Sequence, residues 1–145
     1  MKYSALEIAK YVIDHEHNNG REISNFRLQK LLYFIQAKVL VETGEPCFDD
    51  IMEAWDYGPV VPVVYHEYKI FGSLDIKINS IKVTIEVKIA ELIDLIIDYC
   101  SKFPTYQLVE ITHKQNPWKQ AYKRGAKVEI KSSSIKEYFI STEIK

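Results

Sequence analysis

Histidines are the residues of this chain best suited to proton transfer or metal binding, and their neighbours decide whether they do either. His113 lies in the segment Thr112-His113-Lys114-Gln115-Asn116-Pro117-Trp118. As a general base it would need a nucleophile and an orienting group within hydrogen-bond reach, which a linear pattern does not display. The preferred reading is structural: an imidazole in the last turn of a short helix, where the helix dipole favours a cation, tying the next turn to the core. His66-Glu67 opens like the zinc-protease pattern HExxH, but Ile70 stands at the second histidine position and the motif fails. His15 and His17 lie two apart on a helix, point in different directions and read as solvated helix-end residues. A metal site would also need convergent partners. The chain has no Walker A loop, no GxGxxG and no GxSxG. No catalytic residue, metal ligand or cofactor is assigned.

Charge and aromatic patterns offer binding rather than catalysis. Glu91, Asp94 and Asp98 make an acidic stripe at helical spacing, with Asp49 and Asp50 as conceivable partners around a metal. The stripe reads first as a solvated face, and second as a contact for a basic partner. Arg27, Lys30 and Lys38 form a basic strip that could meet phosphates. Three charges are few, however, and ion pairs or helix caps account for them equally well. Trp55, Tyr57, Tyr65, Tyr68 and Trp118 cluster near Gly and Pro corners. Such aromatics are core residues or binding hot spots. Core is favoured for Trp55 and Trp118, whereas Tyr57 and Tyr65 stay open because each hydroxyl wants water or a partner.

These residues must be positioned by helices. Ser4 and Glu7 form a capping box before Leu6, Ala9 and Ile13, and Asn19-Gly20 ends this first helix. Ser24 or Asn25 caps a second helix that closes at Gly44. It is apolar on two faces, Leu28-Leu31-Leu32-Ile35-Val39 and Phe26-Tyr33-Ala37-Leu40, so it is predicted to be the central helix. One of its polar strips holds Gln29 and Gln36. Residues 51–55 read as a short strand, and Pro62 opens a third helix that stops at Gly72. Between Ser73 and Ser80 the pattern is poor, though Ile76 and Ile78 allow a strand. Ile81, Val83, Ile85 and Val87 alternate, and a fourth helix is placed from Thr84. A short helix follows over residues 106–113. Asn116 as cap and Pro117 as first residue begin another turn, ended by Gly125. Residues 127–130 read as a strand able to pair near Trp55, and Ser134 with Glu137 as a capping box for a final helix.

The chain has 145 residues, 47% hydrophobic and 27% charged, enough for one folded domain over residues 1–145. Its net charge of -1 weighs against a dedicated nucleic-acid binder. Cys47 and Cys100 form no CxxC pattern and read as reduced thiols. Met1 to Lys10 is amphipathic and lacks a signal-peptide core, and no stretch approaches the ~20 apolar residues of a membrane span. A cytoplasmic protein is expected.

The most specific segment is Glu53-Ala54-Trp55-Asp56-Tyr57-Gly58-Pro59-Val60-Val61-Pro62. Pro59 fixes its own φ and pushes Gly58 toward extended or left-handed backbone, so the block makes a stiff corner that holds Trp55 and Tyr57. This corner resembles that of the Panacea antitoxin domain, also called SocA-like or phage-associated GepA-like. Upstream, Leu28-Gln29-Lys30-Leu31-Leu32-Tyr33-Phe34 looks like the family's LQKLLYF helix. Downstream, Thr112-His113 and Pro117-Trp118 look like its TH…PW element. The three blocks occur in the family's order across most of residues 24–122.

The resemblance implies a small, mainly α, cytoplasmic domain that neutralises a protein toxin encoded by a neighbouring gene, through direct binding and without a cofactor. Its motif or toxin-binding candidates are Gln29, Lys30, Tyr33, Trp55, Tyr57, Gly58, Pro59, Tyr65, His113, Pro117 and Trp118. The match weakens between Ser73 and Val87, where partner identity would then be read, and no appended DNA-binding or toxin domain is expected. The architecture expected is a compact helical bundle of about six helices with a minor β element. Two other readings are a nucleic-acid-binding regulator, requiring the basic residues on one exposed face, and a small enzyme using His113 with a carboxylate in a pocket.

Overall fold

The computed structural model describes residues 2–79 and 82–142. Met1 of the amphipathic N-terminal stretch, and Ser80 and Ile81 of the alternating stretch, lie outside the described residues. Helix α1 (Ala5–Asn18) starts where Ser4 and Glu7 exchange hydrogen bonds: the Ser4 hydroxyl accepts from the Glu7 N–H at 3.1 Å, and the Glu7 carboxylate accepts from the Ser4 N–H at 2.9 Å. Helix α2 (Asn25–Thr43) is capped by the Ser24 side chain and closed by Gly44 in the left-handed region. Its two apolar faces are both used. Leu28, Leu31, Leu32, Tyr33, Ile35, Ala37, Val39 and Leu40 are all buried. A helix buried on both sides has to be central, and α2 packs against helices from both halves of the chain.

The corner forms a hairpin. Strands β1 (Met52–Trp55) and β2 (Gly58–Val60) are antiparallel with Trp55 opposite Gly58, so Asp56 and Tyr57 alone make the turn. Strand β3 (Val128–Ile130) pairs with the other edge of β1, Val128 opposite Ala54, giving the order β2-β1-β3. Helix α3 (Pro62–Tyr68) begins at its proline and tightens into a 3-10 turn, Lys69–Phe71, before Gly72. Then come α4 (Val87–Cys100), α5 (Thr105–His113), α6 (Asn116–Ala121) and α7 (Ser132–Thr142). The protein is thus mainly α with a small sheet, and has seven α-helices among the described residues.

Several local expectations are corrected. The fourth helix starts at Val87, not Thr84, because Glu86 is extended and its N–H donates to the Tyr3 hydroxyl at 2.9 Å. Ile76 belongs to no strand; it is buried, and its N–H donates to the Ile23 carbonyl. Asn116 is the first residue of α6 rather than its cap, since the extended residue is Gln115. That helix ends at Ala121, ahead of Gly125. Ser134 lies inside α7, whose first turn closes on the Lys131 carbonyl through the Ser134 and Ile135 N–H groups. The histidines and the acidic stripe are not merely solvated. Tyr11 donates to Asp94 at 2.6 Å, His15 lies 3.2 Å from Asp94 and 3.0 Å from Asp98, and Arg21 reaches Asp98 at 3.0 Å. Asp94 and Asp98 therefore form a polar seam with Tyr11, His15 and Arg21, while Glu91 stays exposed. His17 meets Asp75 at 3.0 Å, and Asp75 also accepts from the Ile23 N–H.

Candidate functional site

A cleft of about 970 Å³ opens between the start of α2, the β1–β2 corner, α3, α5 and the segment before β3. The corner is what shapes it, and α2 holds the corner. The Gln29 side chain accepts from the Val61 N–H at 2.8 Å and donates to Asn25 at 2.9 Å, and Asn25 donates to the Tyr65 carbonyl at 3.0 Å. One amide relay thereby fixes the hairpin exit and α3 to α2. Lys30 adds a second tie, its Nζ donating to the Pro59 carbonyl at 3.0 Å. All three residues of β2 are buried.

Gly58 carries φ +112°, outside the range L side chains adopt comfortably. A Cβ there would stand 2.9 Å from Thr112 Oγ1 and 3.0 Å from Lys30 Cε. Thr112 is itself buried and donates to the Val109 carbonyl at 2.8 Å. Glycine at 58 therefore lets the hairpin lie directly on α5 and on the lysine.

The other side of the hairpin is held by stacked rings. His113 lies on Trp118 at 4.1 Å, and Trp118 on Tyr122 at 4.5 Å. Trp118 Nε1 donates to the Trp55 carbonyl at 2.8 Å, and the Tyr122 hydroxyl donates to Asp56 at 2.6 Å. Pro117 is buried at the start of the same helix. Burial holds the His113 pKa below the ordinary histidine range, a hydrogen bond with the Asp56 main chain opposes that shift, and the charge on Lys30 adds to it. Its buried Nε2 has no hydrogen-bond partner among the described residues. His113 is thus a neutral stacking element tying the turn to the hairpin. Trp118 is half-buried rather than fully in the core, so Trp118→Ala is expected to cost about 3 kcal/mol. Chemical denaturation measures this, and a loss under about 1 kcal/mol would show that the stack does not hold the hairpin.

The remaining aromatics face the cleft. Trp55 meets Tyr65 edge-on at 4.9 Å, and Lys127 lies 4.5 Å from its ring centroid. Tyr57 is 67% exposed at the turn and stands edge-on to Phe26, itself 40% exposed. Across the opening, Tyr106 is also 67% exposed. Gln29, Lys30, Trp55, Tyr57 and Tyr65 line the cleft; Gly58 and Pro59 do not line it but contact Lys30, which does. Tyr33 does not belong to it, being buried with its hydroxyl on Gln115 at 2.7 Å and its ring against Phe34 and Phe139. Phe26, Tyr106 and Lys127 are lining residues that motif reading passed over. Phe26 carried a signal, as the residue of its stripe nearest the helix start, but Tyr106 and Lys127 carried none.

The basic strip does not form a phosphate-binding face. Arg27 donates to the carbonyls of Cys100 at 2.6 Å and Phe103 at 2.9 Å, capping the end of α4. Lys38 pairs with Glu42 at 2.9 Å, and Lys30 is wholly buried. Among the described residues no group of His, Cys, Asp and Glu could hold a metal ion, and no helix is long and apolar enough to cross a membrane. Cys47 and Cys100 are buried free thiols whose pKa values burial pushes up to about 12, so they are poor nucleophiles.

Comparison with known proteins adds a family. Residues 28–119 match the family model described as "Antitoxin SocA-like, Panacea domain". That range contains all three motif blocks and most of the cleft lining, but not Asn25, Phe26 or residues 125–127. A curated relative, "Antitoxin SocA" of Caulobacter vibrioides (strain NA1000 / CB15N), is 32% identical over 127 residues, covering 79% of this chain and 68% of that protein. No solved structure matches.

Proposed function

The chain belongs to the SocA-like Panacea antitoxin family, and from that premise we propose that it is the antitoxin of a toxin–antitoxin pair, acting in the cytoplasm by binding its toxin directly. The observation that supports direct binding is the cleft itself. Five of the motif candidates, Gln29, Lys30, Trp55, Tyr57 and Tyr65, line one concave surface, with Tyr57, Phe26 and Tyr106 exposed on its rim. Tyrosine and other aromatics around a desolvated pocket are the composition of binding hot spots. The protein needs no chemistry of its own for this role. Covering the toxin's active surface lowers the free toxin concentration.

The test is rescue. Expression of the neighbouring gene's product alone should arrest growth, and co-expression of this protein should restore it. Tyr57→Ala is the informative variant, because Tyr57 is exposed and its loss should leave the melting temperature within a degree or two of wild type. Binding to the toxin should weaken by about 2 kcal/mol, the scale of a hot spot. Toxic neighbours that this protein fails to relieve, or rescue that persists in an unfolded variant, would defeat the reading.

A further inference from the structure

Lys30 is the feature of the cleft that folding alone does not account for. Its side chain is 0% exposed, on a helix whose neighbouring positions are Leu and Gln. The Nζ has one hydrogen bond, to the Pro59 carbonyl, and faces the Phe26 ring at 5.0 Å. An ammonium carries three donors, so capacity is left over. No ion pair reaches it among the described residues. Buried cations are ordinarily paired, because desolvating a charge without a counter-charge is costly.

The place of this cation matters as much as its isolation. It lines an open cleft, beside the partly exposed ring of Phe26. The mouth carries Lys69 and Lys127 against Asp56 and Glu110, so those four charges balance. Asp56 is already taken by Tyr122. Burial holds the His113 pKa down, against a charged imidazole there. Lys30 is then the charge that sets the sign of the site. The walls beside it are apolar or aromatic: Phe26, Trp55, Val60, Tyr65 and Val109.

We infer that the cleft takes a carboxylate side chain of the partner protein, an aspartate or glutamate flanked by an apolar residue, and that Lys30 is its counter-charge. The acid completes the donors of the ammonium in a dry site, where a charge-assisted hydrogen bond is strongest. The apolar neighbour fills the space between the aromatic walls. Burial holds the Lys30 pKa down to about 7 in the free protein, and an incoming carboxylate would move it back up. This assignment rests on the antitoxin reading for the identity of the partner, but not for its chemistry.

The experiment therefore uses a probe independent of any toxin: 3-phenylpropanoate, an aromatic ring bearing one carboxylate, beside its neutral amide, 3-phenylpropanamide. Each is titrated into the full chain at pH 6, followed by tryptophan fluorescence and by the nitrogen resonance of the Lys30 ammonium. The acid should bind at least ten-fold more tightly than the amide, and should raise the Lys30 titration midpoint by at least one pH unit. In Lys30→Met the preference for the acid should disappear. Equal binding of acid and amide by wild type, an acid preference that survives in Lys30→Met, or an unmoved Lys30 midpoint would each overturn the inference. So would displacement of the acid by equimolar inorganic phosphate, which would assign the site to phosphate. The resonance measurement needs only wild-type protein and decides the matter even if the variant does not fold. Failure of toxin rescue, with the probe bound as expected, would remove the antitoxin reading and leave the carboxylate site standing.

Discussion

Gly58→Ala is expected to destabilise the protein by about 3 to 5 kcal/mol. Two costs add. Holding a non-glycine residue in the rarely populated backbone region required at Gly58 costs on the order of 1–3 kcal/mol. The added methyl then meets Thr112 Oγ1 at 2.9 Å and Lys30 Cε at 3.0 Å. Overpacking of that kind costs typically 1–3 kcal/mol. The buried Thr112 has little room to move, and Lys30 can retreat only by giving up its bond to the Pro59 carbonyl. Urea unfolding of both proteins measures the difference, and a loss under about 1 kcal/mol would show that the hairpin shifts freely off α5. Gly20, by contrast, is also left-handed but has nothing within 4 Å of a Cβ. Gly20→Ala should cost only the backbone term and serves as the control.

Lys30→Met should do the opposite. The folded-state pKa of Lys30 lies near 7, lowered by burial, while the unfolded chain titrates near the ordinary lysine value of about 10.4. Between those values the unfolded state holds the proton and the folded state does not, so wild-type stability rises as pH rises through this window. Below about pH 7 both states are protonated and the full penalty of roughly 5 kcal/mol is present. Methionine removes that penalty but orphans the Pro59 carbonyl, at about 1 kcal/mol. The variant should therefore be more stable by about 4 kcal/mol at pH 6 and by about 1 kcal/mol at pH 9. Denaturation at the two pH values checks both the sign and the slope. A variant less stable than wild type at pH 6 would mean that the lysine is paired within the folded protein.

The parts legible in the sequence share a physical character. Ser4 with Glu7, Ser24, Gly44 and Pro62 act within one turn of themselves, and each starts or stops its helix where expected. The double apolar stripe of α2 identified the central helix, because burial on two sides leaves no polar face to spare. Strands β1 and β3 and the stiff corner between β1 and α3 were legible in the sequence, but the strand Gly58–Val60 that makes the corner a hairpin was not. What failed was decided by partners distant in sequence. Thr84 could not start a helix because Tyr3 takes the backbone at Glu86. Asp94 and Asp98 looked solvated because nothing near them in sequence announces Tyr11, His15 or Arg21. In the site, motif residues gave the floor and one wall, but Tyr106 and Lys127 come from segments whose local pattern says only loop or short helix. Lys30 was read as one member of a basic strip. Its isolation is a property of packing, visible only once the corner is folded over it.

The three-stranded sheet joins residues 52–60 to residues 128–130. Its outer strand is thus supplied by a segment synthesised long after the hairpin it completes, and the cleft wall at Gly125 to Lys127 arrives with it. On the ribosome, α1, α2 and the hairpin can assemble early, but β1 keeps an open edge until residue 130 has emerged. A nascent or truncated chain lacking that strand presents an unfinished groove. The sheet beside the cleft is thereby complete only once residue 130 has been made, and a premature stop before Val128 would yield a chain holding all three motif blocks yet lacking the strand that closes the sheet.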